Sequence, residues 1–246
     1  CSDKTGTLTE NRMSVVDNYL TNEDKTLLIS KLCNNATIKN DKTIGNQTDG
    51  AILKFAKDYD TSLERVDEIP LDSNRKMMTT IHRLDDENNI VLSKGAPEII
   101  LDKCKYIDDN GSIEIIEAES KEKILKKINE MSEKSLRVIG FAYKINDEDA
   151  PEENLIFTGL LGLIDPPKEN AKQAVTDCIN AGIAVKMITG DHEKTARAIA
   201  KHLGILTTGQ VITGAELERL TDDEYLAIAD DIQVYARVKP DRKSVV

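Results

Sequence analysis

Cys1-Ser2-Asp3-Lys4-Thr5-Gly6-Thr7-Leu8-Thr9 opens this 246-residue chain and carries the chemistry around which the rest is arranged. Asp3 offers a carboxylate able to attack a phosphoryl group, and the residues after it form a small turn rich in backbone N–H and hydroxyl donors. Gly6 permits close backbone approach to a phosphate oxygen, while Thr5 and Thr7 add O–H groups. An acid two residues beyond such a nucleophile would protonate the leaving group and later activate water. Thr5 occupies that position and does neither well. A phosphate accepted by Asp3 is therefore expected to last, which suits energy transduction better than phosphate scavenging.

Outward from Asp3, the strongest pattern lies near the other end of the chain. A strand over Leu155–Ile164 leads past Asp165-Pro166-Pro167 to a helix with Ala171, Ala174, Val175, Cys178 and Ile179 apolar and Gly182 as its stop. A strand over Ile183–Ile188, a helix over Glu193–Leu203 stopped by Gly204, and a strand at Val211–Ile212 follow. Two short helices, a strand over Ile232–Tyr235 and a helix begun at Pro240 complete the series. Alternation of this length predicts a doubly wound α/β fold with a parallel sheet. Catalytic residues of such sheets lie at the carboxyl ends of strands. Residues 1–11 are therefore expected to join residues 165–246 in one discontinuous domain, with 12–164 inserted between them.

The insertion reads as α+β. Val15–Tyr19 is strand-like, and helices fit Asp24–Cys33 and Thr48–Lys57, the second with Thr48 as its N-cap. Met77–Leu84 and Ile90–Lys94 form a hairpin around Asp85–Asn89, and Asp108-Asp109-Asn110-Gly111 turns a second one. A helix capped by Ser120 carries Ile124, Leu125, Ile128 and Met131 as a stripe, followed by a strand over Leu136–Lys144.

Composition narrows the partners. The net charge of −11 argues against nucleic acid, whose phosphates attract basic proteins. No apolar stretch approaches the ~20 residues of a membrane-spanning helix, and no leader peptide is expected where residue 1 already opens the catalytic loop. Cys1, Cys33, Cys104 and Cys178 are dispersed, without Cys-x-x-Cys or a nearby His at ligand spacing, and fit reduced thiols. The three histidines form no metal signature, and His192 reads as a helix-start residue.

Asp3–Thr9 resembles the phosphorylation motif of the P-type cation-transporting ATPases, and further stretches resemble that family along the whole chain. Thr189-Gly190-Asp191, at a strand-to-helix switch, is similar to its Thr-Gly-Asp motif, where Thr189 would hydrogen-bond a phosphoryl oxygen. In Tyr235–Lys243, the resemblance makes Lys243 the lysine that neutralises transferred phosphate and Arg237 a residue approaching the nucleotide. Lys94-Gly95-Ala96-Pro97-Glu98 resembles a motif whose lysine lines the adenine pocket. Lys76 matches a second pocket lysine, Arg137 an arginine reaching the nucleotide phosphates, Asp49 an acid near adenine, and Asp165 a hinge aspartate near the ribose.

The resemblance implies a haloacid-dehalogenase-like phosphorylation domain, truncated here, with an inserted nucleotide-binding domain built on an antiparallel sheet. ATP and Mg²⁺ are the implied cofactors. The metal would bridge Asp3, the Thr5 carbonyl and the γ-phosphate, and hinge closure of the inserted domain would deliver ATP. It also implies parts beyond these residues: a Gly-Asp-Gly-x-Asn-Asp motif after Val246, membrane helices carrying the transported cation, and an actuator domain. This region would then be the cytoplasmic, soluble part of a membrane protein. Cys1-Ser2, Asn11-Arg12-Met13 and Asp165-Pro166-Pro167 look most like the calcium-pump branch.

Leu71 departs from the family pattern, which usually has phenylalanine there to stack on adenine. Leucine covers the base without a π face, so weaker ATP binding is expected. Met77 stands for a commonly polar residue and Lys168 for an arginine. Two other readings remain at this level. A soluble haloacid-dehalogenase-type phosphohydrolase would release phosphate steadily from small phosphomonoesters. A non-catalytic nucleotide-binding module would bind ATP with little or no turnover.

Overall fold

The computed structural model describes residues 1–40, 42–145 and 150–238. The expected Pro240 helix and Lys243 lie outside them. The chain divides into two compact units, one of Cys1–Arg12 with Asp165–Val246 and one of Met13–Ile164. Arg12 falls in the first unit, where its backbone N–H donates to Asp165 Oδ1 at 3.2 Å.

In the first unit four short parallel strands lie in the order Ser2–Asp3, Met187–Ile188, Ile232–Ala236, Gln210–Thr213. Strand alternation sends neighbouring side chains to opposite faces. Met187 and Val234 pack with Ala196, Ile199 and Leu203 on one face, whereas Ile188 and Tyr235 pack with Ile212 and Val238 on the other. Helices Ala171–Asn180 and Glu193–Leu203 contribute to the first cluster, and Gly214–Leu217 and Asp222–Ile228 to the second. Local signals set the helix limits. His192 accepts from Lys194 N–H at the start of Glu193–Leu203, and Gly204 ends it at φ 78°. Thr213 with Glu216 and Thr221 with Glu224 form reciprocal caps on the two short helices.

The strand expected over residues 183–188 covers only Met187–Ile188. Its ladder with the first strand begins where Ser2 N–H donates to Lys186 O, and residues 183–185 pair with no strand among the described residues.

The second unit is built on an eight-stranded mixed sheet. Its order runs Arg65–Ile69, Met77–Arg83, Asn89–Gly95, Arg137–Ile145, Leu155–Ile164, Cys104–Asp109, Ser112–Ile115, with Ser14–Leu20 also paired to Leu155–Ile164. Both hairpins form, Met77–Arg83 with Asn89–Gly95 and Cys104–Asp109 with Ser112–Ile115. Helices Glu23–Leu32 and Gln47–Phe55 cover one face around Phe141, Tyr143 and Leu161. Pro97–Lys103 and Ala118–Glu133 cover the other around Ala142, Phe157 and Leu160.

Leu155–Ile164, which the sequence places at the head of the α/β series yet inside the 12–164 insertion, is a central strand of this mixed sheet. It runs antiparallel to Arg137–Ile145 and Ser14–Leu20 and parallel to Cys104–Asp109. An apolar run buried on both faces reads the same in either sheet, so periodicity did not separate them. Thr158 is bulged out of the ladder, which moves Phe157 and Leu160 to the same face. Its freed carbonyl accepts from Thr21 N–H, Asn22 N–H and the Thr26 hydroxyl at the head of helix Glu23–Leu32. Two helix starts also differ from expectation. Asn46, not Thr48, caps Gln47–Phe55, because its side chain reaches both Thr48 and Asp49 N–H. Ala118–Glu133 begins ahead of Ser120. Among the described residues no helix is long and apolar enough to cross a membrane.

His82, 2% exposed within Met77–Arg83, meets Thr80 Oγ1 at 3.0 Å and Leu63 O at 3.4 Å. Burial first, with Arg65 adding to it, holds its pKa below the ordinary 6.5. On acidification the unfolded chain therefore takes up this proton before the folded one. The contribution of His82 is complete above about pH 6.5 and declines as the pH falls toward the lower folded value. Urea unfolding between pH 7.5 and 5 checks this: His82→Gln should flatten the decline, and an unchanged slope would remove His82 as its source.

Candidate functional site

Asp3 sits in parallel register with Ile188, so Thr189 is the next residue past the sheet edge on the adjacent strand, about 4.8 Å across. Thr189 is 1% exposed, donates its N–H to Tyr235 O at 2.9 Å and accepts Val238 N–H at 3.1 Å. Its hydroxyl oxygen accepts Asp191 N–H at 3.1 Å. Arg237 N–H donates to Asp191 O at 3.0 Å, so Thr189-Gly190-Asp191 is stitched to the residues after the neighbouring strand. Arg237 is exposed and holds φ 56°.

The turn after Asp3 is fixed by its own main chain. Thr5 is extended at φ −75°, ψ 122°, and Gly6 is left-handed at φ 77°, a backbone that glycine adopts without strain. Thr9 N–H closes on Lys4 O at 3.0 Å, and the Lys168 amine donates to Gly6 O at 2.8 Å. Thr5, Gly6 and Thr7 are exposed.

Lys4 was not singled out in the sequence, yet it organises this unit's acids. It is 4% exposed, with Nζ 2.7 Å from Asp191 Oδ2 and 3.6 Å from Asp165 Oδ2. Asp165 further accepts the Thr9 hydroxyl at 2.6 Å and Arg12 N–H. The carboxylates assigned from sequence to catalysis (Asp191) and to the ribose (Asp165) thus both face one buried amine.

Among the described residues no group of three or more His, Cys, Asp or Glu could hold a metal. Mg²⁺ asks for less from protein: one or two carboxylates, with phosphate oxygens and waters completing its shell. The Asp3 carboxylate and Thr5 carbonyl are hard oxygen donors two residues apart and fit that demand.

In the second unit, Lys94 is 5% exposed and its amine lies 2.7 Å from Asp49 Oδ1. Asn34, another residue that sequence did not flag, donates to Asp49 O at 2.9 Å and so steadies the start of that helix. Arg137, exposed, donates to Thr48 Oγ1 at 2.9 Å, next to Asp49. Gly95 is a close approach. A Cβ there would lie 2.5 Å from Lys76 O and 2.6 Å from Met77 Cβ. Lys76 is exposed with φ 56°, and its carbonyl accepts Ala96 N–H at 2.9 Å. Asp49, Lys94 and Arg137 are therefore joined through one helix start, and Lys76 reaches the same strand end through Gly95 and Ala96. Leu71 stands 64% exposed on the loop before Lys76. Exposed cations beside a buried amine favour an anionic ligand.

A family model described as P-type ATPase, cytoplasmic domain N, matches residues 22–170. Calcium-transporting ATPase 1 of Bacillus cereus is 41% identical over 270 residues, taking in 99% of this chain and 30% of that protein. Calcium-transporting ATPase 1 of Saccharomyces cerevisiae is 34% identical over 293 residues, with 99% and 31% covered. A probable cation-transporting P-type ATPase of Mycoplasma genitalium is 37% identical over 263 residues, with 100% and 28% covered. The chain spans about a third of the length of the curated relatives it matches.

Proposed function

Since this chain belongs to the P-type ATPase family, with its match to the cytoplasmic N domain over residues 22–170, we propose that it is the phosphorylation and nucleotide-binding region of a cation pump, with Ca²⁺ as the cargo. The observation that carries the proposal is the parallel pairing of Asp3 with Ile188, which sets Thr189 beside the nucleophile. The parallel sheet with helices on both faces supports a haloacid-dehalogenase-like phosphorylation domain. The mixed-sheet unit supports an inserted nucleotide-binding domain.

In this reading Met13–Ile164 binds ATP. Lys94, Lys76 and Arg137 supply N–H donors to it, Asp49 holds Lys94, Leu71 covers the base, and Gly95 keeps the Lys76 turn close. Asp3 Oδ attacks the γ-phosphorus, the bond from phosphorus to the β-bridging oxygen breaks, and ADP leaves with those electrons. Asp3 and the Thr5 carbonyl would hold Mg²⁺, which when bound would supply charge neutralisation to the phosphoryl group. The Thr189 hydroxyl accepts from Asp191 N–H, which leaves its proton to donate to a phosphoryl oxygen, with Gly190 allowing approach. Asp191 acts by holding its loop through Lys4, and Asp165 by anchoring Thr9 and Arg12. Lys243 and Arg237 complete the charge balance as a phosphate cation and a nucleotide contact. No acid stands at Thr5 to activate water, so the acyl phosphate persists until another part of the full-length protein, the actuator domain, removes it.

In membrane vesicles bearing the full-length protein, γ-labelled ATP with Mg²⁺ should leave acid-stable, hydroxylamine-labile label on the protein and drive Ca²⁺ uptake. Asp3→Asn should abolish both. Label that survives Asp3→Asn would overturn the assignment of the nucleophile, and steady phosphate release from small phosphomonoesters would favour a phosphohydrolase instead.

A further inference from the structure

We infer that Arg75 and Glu152 form a clamp that positions the nucleotide-contacting loop 70–76 against the strand carrying Lys94, an inference that rests on the nucleotide-binding reading above. The Arg75 guanidinium donates to the main-chain oxygens of Ile69 and Pro70, just ahead of Leu71, and to the Glu152 carboxylate. Both side chains are largely buried, 26% and 16% exposed. The same Glu152 oxygen accepts the Thr79 hydroxyl at 2.7 Å, and Thr79 shares a 2.8 Å hydrogen bond with Ser93, the residue before Lys94. Thr79 and Ser93 are fully buried. One carboxylate thereby joins the loop bearing Leu71 and Lys76 to two neighbouring strands.

Inside the loop, Asp72 Oδ1 accepts Asn74 and Arg75 N–H at 2.9 Å each, and Asp72 O accepts Lys76 N–H at 2.6 Å. These bonds shape the loop, and Arg75 carries it to Glu152. A planar guanidinium can serve two carbonyls and a carboxylate together, which a lysine amine on a single stem does poorly. Arg75 and Glu152 are positioning residues. Their effect on the ligand runs through Leu71 and Lys76.

The test uses this chain, ATP by calorimetric titration, and amide hydrogen exchange without nucleotide. Glu152→Ala and Arg75→Met should each speed exchange across 70–76 and weaken ATP about tenfold, the order for a lost charge-assisted bond. The double variant should be no weaker than either single one, because the two act as a unit. Glu152→Gln, which keeps an acceptor oxygen, should recover most of the affinity, whereas Arg75→Lys should not. Rescue of this kind separates positioning from a general loss of packing, and thermal melts identify any variant that fails to fold. Unchanged exchange with either variant overturns the clamp, whatever the affinity does. Faster exchange with wild-type affinity overturns the positioning role and leaves the nucleotide reading intact. If the unmodified chain does not bind ATP, the nucleotide reading falls and the positioning role with it.

Discussion

Lys4→Met should lower the stability of the unit formed by Cys1–Arg12 and Asp165–Val246 by about 3 kcal/mol, the low end of the range for breaking a buried ion pair. The low end applies because Asp191 keeps 33% of its side chain in solvent, although Asp165 keeps only 13%. Without the amine, both carboxylates lose the cation they share, and Asp165 is left with the neutral Thr9 hydroxyl and Arg12 N–H as donors. Calorimetry should register a fall in Tm on the order of 10 °C for a unit of this size, with the transition of Met13–Ile164 unmoved. Adding Asp191→Asn should return part of the loss, since it removes one of the stranded charges. A single variant that melts within a degree or two of the parent would show that the amine contributes little.

Gly95→Ala should destabilise the second unit and weaken its nucleotide binding together. The added Cβ would lie 2.5 Å from Lys76 O and 2.7 Å from Met77 Cα, backbone atoms that cannot rotate aside. Met77 and Gly95 are ladder partners, so the strand ends must part. Overpacking of this kind costs about 1–3 kcal/mol. The displaced strand end carries Lys94 on one side and Lys76 on the other, so ATP affinity should fall at least about tenfold along with stability. Chemical unfolding and nucleotide titration measure the two losses separately. Parent-like values in both would mean that the close approach is dispensable.

Features governed by neighbours in sequence were legible beforehand. The Asp3–Thr9 turn, the two hairpins, the Gly204 stop and the His192 start each depend on a few adjacent residues, and the structure has them. Long-range electrostatics was not legible. Lys4 meets partners 161 and 187 positions away, and nothing local distinguishes it from a solvated lysine. Leu155–Ile164 fell inside the expected 12–164 insertion, but its sheet was not legible, because a strand buried on both faces has no period to reveal its partners. The helix Pro97–Lys103 and the edge strand Arg65–Ile69 were passed over. The first is short, and the second is mostly exposed and lacks alternation. Asn46 was missed as a cap because Thr48, two residues on, has equally suitable chemistry. At the proposed site, sequence supplied residue types and the fold supplied the wiring: Lys94 to Asp49, Arg137 to Thr48, Arg75 to Glu152.

Lys76 and Arg237 both hold a left-handed backbone at φ 56°, where glycine or asparagine would rest more easily. Screening for heat tolerance would favour Lys76→Gly and Arg237→Gly on backbone grounds alone, and would discard a cation at each. Thermal robustness and nucleotide handling thus pull in opposite directions at these two positions, and a variant library ranked by melting temperature would select against function there.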